Sequence, residues 1–262
     1  MRQRRMRLKR EPRQIVKMLL GRVLGRRSMY TWRDIPYTAN AHPRQILDVV
    51  VPTSPRPKLP VTVFVHGGAW QRGDKSGRFY AHVAPTIAQS TPTLVVTMNY
   101  RLSPEVKYPE HICDVLRALQ WVHREIHKLL GVVGISGVYN IVRLSTASIF
   151  GSMALDPVFG HGVQVRRESS VMQPSVASLG SMKKDLPMLL LYAQDDFHLD
   201  EDAIELKAWL NSLGFTHVAC EEIPGTNHFT IIGNVNANLP PSRSTQAITK
   251  FIRDVTTEKN GH

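Results

Sequence analysis

The 262-residue chain is poor in cysteine: Cys113 and Cys220 are its whole complement, and they form neither a CxxC pair nor a metal-ligand cluster. That excludes a disulfide scaffold and a thiolate zinc site, and it fits a reducing, intracellular setting. The histidines also lack ligand spacing, so no metal and no other cofactor is expected. Acidic residues are scarce at one place, since Glu11 is the single acid among residues 1–27. That stretch also lacks a long apolar run. Its longest, Met18-Leu19-Leu20, is too short to cross a bilayer or to form a signal-peptide core.

What residues 1–27 do contain is eleven Lys or Arg, giving a net +10 of the chain's +12. The remaining residues hold 22 basic against 20 acidic side chains, so the body is nearly neutral. A basic tail of this kind, without interleaved aromatics or a recognisable module, does not make a nucleic-acid-binding face, and nucleic acid is not an expected partner. Ile15, Met18, Leu19, Val23 and Leu24 fall at roughly helical spacing between the cations. Three readings stay open: a helix lying on an anionic membrane such as the endoplasmic reticulum, a solvated disordered tail, or a mitochondrial targeting segment. The first would place the chain peripherally on a membrane. Residues 1–30 are therefore set apart from a globular domain over 31–262.

From about residue 45 the chain alternates strand-like and helix-like stretches. Gln45–Val51, Val61–Val65, Thr93–Met98, Leu129–Ile135, Met188–Tyr192 and His217–Glu222 are apolar or β-branched and short. Helical spacing marks 78–89, Glu110–Ile126, Ala203–Leu213 and Gln246–Val255. This order predicts an α/β domain with a doubly wound, mostly parallel sheet. The variable stretch 141–187 is expected to supply pocket-lining loops.

The strongest chemical signal is Val61–Trp70, where a buried-type strand runs into His66-Gly67-Gly68-Ala69-Trp70. Glycines there let backbone N–H groups face a pocket without an intervening Cβ. Donors so placed stabilise the oxyanion formed during acyl transfer. This stretch resembles the HGGxW loop of the α/β-hydrolase serine esterases, the branch that holds carboxylesterases, kynurenine formamidases and prenylcysteine methylesterases. Tyr100-Arg101-Leu102-Ser103-Pro104 and Tyr108-Pro109 resemble the same family's next segment, with Asp114 and Trp121 in structural positions on the following helix. The resemblance implies an α/β-hydrolase fold, an oxyanion hole at Gly67, Gly68 and Ala69, and a small-molecule or lipidic carboxylic ester as substrate.

The same resemblance implies an acid and a base. Met188–Tyr192 leads into Ala193-Gln194-Asp195-Asp196, and the family's alignment favours Asp196 over Asp195 as the residue that orients a catalytic histidine. His228, in Gly225-Thr226-Asn227-His228-Phe229, stands where the family keeps its general base. The alternative for the carboxylates is a cap on the following helix.

One segment is missing. The family's nucleophile sits in Gly-x-Ser-x-Gly on a sharp strand-to-helix turn, and no serine of this chain has that context. The nearest is Gly134-Ile135-Ser136-Gly137-Val138, with valine in place of the last glycine. Ser136 is thus a weak candidate nucleophile, because VGISGVYNI resembles the family's strand after the nucleophile helix. Only His123–Lys128 separate the helix near Trp121 from Leu129, so a central strand and its helix are expected to be absent together. The sheet should then either close with the SGVY strand in the gap or fold poorly. The sequence therefore suggests a carboxylic ester hydrolase of this family, with a prenylcysteine methyl ester favoured and impairment expected. An inactive binding homologue and an arylformamidase-like amide hydrolase are the alternatives.

Overall fold

The computed structural model describes residues 29–52, 59–125, 130–147, 149–172, 184–236 and 240–257. The basic tail and the end of the Glu110–Ile126 helix lie outside them. Seven strands are described. They are β1 (Met29–Pro36), β2 (Ile46–Pro52), β3 (Val61–Val65), β4 (Leu94–Met98), β5 (Val132–Ile135), β6 (Met188–Asp195) and β7 (Val218–Asn227). The helices are α1 (Val83–Ser90), α2 (Glu110–Glu125), α3 (Ile141–Ala147), α4 (Ile149–Phe159), α5 (Val163–Ser169), α6 (Leu199–Ser212), α7 (Thr230–Gly233) and α8 (Arg243–Thr257).

The strands form two sheets, β1-β2-β4-β3 and β5-β6-β7. Pairing is parallel at β3/β4, β5/β6 and β6/β7, and antiparallel at β1/β2 and β2/β4. The expected single sheet is thus divided. The SGVY strand does not fill the gap: β5 pairs with β6 alone among the described residues, and β3 ends the other sheet. Their exposure reflects this. All of β4 is buried, whereas β3 and β5 are only partly covered, with Val65 37% and Val132 38% exposed. Strand edges left unpaired must satisfy their backbone groups with water.

Side-chain alternation explains why the halves stay together. Val50 and Val95 share one buried cluster with Leu189, Leu191 and Ala193, under α1 (Val83, Ala84, Ile87) and α8 (Ala247, Ile248, Ile252). Phe64, Val133 and Ile135, from the two facing edges, pack against that same cluster. The opposite faces are covered separately. Leu47, Val49, Val96 and Met98 meet Ala118, Trp121 and Val122 of α2, while Met188 and Leu190 meet Ala203, Leu206 and Leu210 of α6. One helical layer therefore bridges both sheets, and the other does not.

Several elements were not anticipated. β1 begins at Met29, and its bulge between Trp32 and Ile35 carries Arg33 and the left-handed Asp34. Residues 141–169, expected as loops, form α3, α4 and α5.

Candidate active site

After β3 the chain enters His66, which is buried and stacked on Tyr100 with 4.6 Å between ring centroids. Its Nδ1 lies 2.8 Å from the Gly67 carbonyl oxygen, and burial holds its pKa below the usual 6.5. Gly68 has φ +120°, and a Cβ there would stand 2.4 Å from the Arg72 oxygen, so glycine is required. Ala69 and Trp70 follow with φ +51° and +60°. The turn closes when Gln71 and Arg72 N–H groups donate to Gly68 O at 3.1 and 3.0 Å. The loop is tied down on both sides. Ser103 N–H donates to Trp70 O at 2.9 Å, and Trp70 meets Phe159 edge-on. Gly67, Gly68 and Ala69 are exposed at the rim.

The segment just beyond is anchored by charge. Lys75 is buried, and its Nζ donates to Asp48 Oδ1 at 2.6 Å and to Asp34 Oδ1 at 2.9 Å. Its backbone N–H donates to Asn99 Oδ1 at 2.7 Å. Asp114, fully buried, accepts from Arg101, Arg117 and Gln45. Burial opposes its charge, but the bonds from Arg101 and Gln45 outweigh it and lower its pKa. Asp114 thus joins α2 to the Tyr100–Arg101 turn and to Gln45 before β2.

The second half of the site grows from β6 and β7. Asp196 follows β6 and turns its buried carboxylate back, so that Oδ2 accepts the Ala193 N–H at 2.9 Å. Its other oxygen, Oδ1, lies 2.8 Å from His228 Nδ1. Asp195 is exposed, and its backbone oxygen accepts the His228 N–H at 3.0 Å. Neither carboxylate caps α6, whose N-cap is His198 without a side-chain cap bond. His228 follows β7, and Asn227 Oδ1 accepts from Phe229 and Thr230 N–H groups at 3.0 Å, starting α7 immediately. Among the described residues His228 Nε2 has no hydrogen-bond partner.

Ser136 joins this pair from β5. It has φ +45°, and its Oγ donates to Asp196 Oδ2 at 2.6 Å. Ser136 and His228 therefore share one carboxylate through its two oxygens. The glycines on either side have a separate reason. A Cβ on Gly134 or Gly137 would come within 2.0 or 2.4 Å of the Tyr139 phenol ring or its oxygen. Tyr139 and Asn140 N–H groups in turn donate to the buried Asp202 at 2.9 and 2.8 Å.

The structure thus brings Ser136, Asp196 and His228 together. Gly67, Gly68 and Ala69 stand at the end of the other sheet and make no hydrogen bond to the three among the described residues. No group of three His, Cys, Asp or Glu among them could hold a metal ion. Phe197 and Phe229, edge-on to His228 at 5.5 and 5.3 Å, had no sequence signal beyond adjacency to the acid and the base. Chemically, a histidine oriented through Nδ1 can take a proton at Nε2 from a hydroxyl or a water.

Comparison with known proteins places this architecture. Residues 47–137 match the BD-FAE family. Esterase LipC of Mycobacterium tuberculosis is 37% identical over 93 residues, 34% of this chain and 22% of that protein. The probable carboxylic ester hydrolase LipM of the same organism is 27% identical over 203 residues, 75% of this chain and 45% of LipM. The chain therefore spans less than half the length of these curated relatives. Esterase B from Lactobacillus rhamnosis superimposes with a TM-score of 0.69 at 16% identity, covering 93% of this chain and 90% of that one.

Proposed function

We propose that this chain, which has the α/β-hydrolase fold and the family features of its serine esterases, binds carboxylic esters at the mouth around His228 but lacks the serine step of their hydrolysis. The observation that carries this reading is the bond from Ser136 Oγ to Asp196 Oδ2 at 2.6 Å. Serine attack requires the hydroxyl to hand its proton to histidine Nε2. Here the Ser136 hydroxyl donates to Asp196 Oδ2 and not to His228 Nε2, while His228 Nδ1 meets the other carboxylate oxygen. A carboxylate is too weak a base to substitute for imidazole at neutral pH. The divided sheet supports the same reading. Four residues, 126–129, separate α2 from Leu130, too few for a strand, an elbow and a helix between β3 and β5.

In this reading the exposed Gly67–Ala69 loop and the His228–Asp196 pair remain as an ester-recognition surface. The substrate class is a small or lipidic carboxylic ester, with a prenylcysteine methyl ester favoured by the basic, apolar-spaced tail and an arylformamide as the competing amide. The test is a fluorophosphonate probe together with p-nitrophenyl acetate. Folded protein should show no covalent labelling and no turnover above a His228→Ala control. Labelling of one serine, with turnover abolished by its alanine variant, would sink the proposal.

One observation favours a second reading, with Ser136 as a relocated nucleophile. Its φ of +45° between β5 and α3 has the left-handed backbone of a strand-to-helix elbow. The same probe decides, because that reading requires labelling at Ser136.

A further inference from the structure

Three phenylalanines stand out into solvent: Phe79, Phe197 and Phe229 are 61%, 58% and 60% exposed. They are not scattered. Phe197 and Phe229 flank the His228 ring and lie 6.3 Å apart, each edge-on to its neighbour. Phe79 reaches the same region through α7. With Arg78, His82 and Gly233 it lines an open cleft of about 540 Å³. Gly233 N–H donates to the Phe229 oxygen at 3.0 Å, and His82 Nε2 lies 3.3 Å from Ile232 O.

The exposure is built into the backbone. Phe197 has φ +53°, a conformation that a bulky side chain adopts only under strain, and His198 follows at +65°. Strain is retained here although it holds an aromatic ring in water. Beside Phe79, in the same cleft, stands a cation without a counter-charge: Arg78 is exposed and has no partner among the described residues. The same chain carries the net +10 of residues 1–27.

We propose that Phe79, Phe197 and Phe229 form an apolar rim that seats the mouth of the site on an anionic lipid surface. The rings would enter the headgroup–acyl boundary, with Arg78 at the level of the phosphates. Attraction from the basic tail raises the local concentration of the rim at the surface, so two weak contacts act as one stronger one. Docked this way, His228 faces the lipid, and ester would arrive from the membrane side. That consequence rests on the ester-binding reading above, whereas the docking itself does not.

The experiment is co-sedimentation of the full chain with vesicles of phosphatidylcholine, with and without phosphatidylserine. The parent should bind the phosphatidylserine vesicles better. A Phe79→Ser/Phe197→Ser/Phe229→Ser variant should lose at least about tenfold in partition onto them, since each ring contributes apolar burial. Its thermal midpoint should stay at the parental value or above, because no buried contact is removed and strain is eased at position 197. Arg78→Ala should weaken only the phosphatidylserine-dependent part. Parent protein that stays in the supernatant with both vesicles overturns the proposal, as does a triple variant that partitions within about twofold of parent. If the triple variant instead loses only binding of soluble p-nitrophenyl butyrate, the rim serves the acyl group of a dissolved ester, and the lipid-surface proposal falls.

Discussion

Replacing Asp196 by alanine is expected to loosen the junction of β5, β6 and β7, beyond breaking the pair with His228. The buried carboxylate accepts the Ala193 N–H at 2.9 Å, the Ser136 hydroxyl at 2.6 Å and His228 Nδ1 at 2.8 Å. A hydrogen bond to a charged acceptor contributes about 1.5–3 kcal/mol, and a buried donor left without a partner costs about 1–3 kcal/mol. Water can replace the carboxylate at the partly exposed His228, but not readily at the buried Ala193 amide. The expected cost of Asp196→Ala is therefore about 3–5 kcal/mol. In a domain of this size each kcal/mol lowers the thermal midpoint by roughly 2–4 °C, so the shift should be about 6–20 °C. Asp196→Asn should cost only about 1–2 kcal/mol. Its remaining oxygen can keep Ala193 and Ser136, while its amide faces Nδ1 and forces the other imidazole tautomer. Urea unfolding followed by two spectroscopic probes measures both variants. A double-mutant cycle with Ser136→Ala should show coupling above about 0.5 kcal/mol. The reasoning is refuted if Asp196→Ala unfolds within about 1 kcal/mol of the parent, or if the two single costs simply add.

Lys75→Met is expected to cost about 3–5 kcal/mol, because it leaves Asp48 buried without the ammonium that faces it at 2.6 Å. A loss of unfolding free energy below about 1 kcal/mol in urea titration would contradict that. Stability should also depend on pH through His66 and His111, whose folded pKa values burial lowers from the usual 6.5. Both are then neutral when folded while the unfolded chain takes up protons. Their contribution is complete above 6.5 and is lost as pH falls below it toward the folded values. Urea midpoints measured from about pH 8 to about pH 5.5 should decline through this window; a flat or rising profile would show that neither ring is held neutral by burial.

Much of the frame was legible because it depends on local pattern. Val61–Val65 has the same bounds in the sequence reading and in the structure, since a short β-branched run ending in two glycines has few alternatives. Glu110 opens α2 as its spacing implied. β1 was not legible, because an edge strand interrupted by Arg33 and Asp34 lacks a buried period. The short helices α3–α5 lacked one too: α4 encloses Pro157 and has no apolar face set off from a polar one. In the site, the loop, the acid and the histidine were named from the resemblance. The preference for Asp196 over Asp195 came from resemblance; in the structure it is Asp196 that meets His228.

By itself the sequence determined that no serine stands in a Gly-x-Ser-x-Gly context and that the loop His66–Trp70, Asp196 and His228 follow one another in the order the esterase resemblance implies. Those are properties of neighbours along a chain. Only the tertiary structure decided how Ser136, Asp196 and His228 come together. Ser136, 60 residues from Asp196, reaches its carboxylate because β5 pairs in parallel with β6 and the turn after it adopts φ +45°. The sheet stays divided because hydrogen bonding needs a strand at each edge, and none of the described residues supplies one between β3 and β5. It holds together because one apolar layer, shared by α1 and α8, is buried against both halves at once.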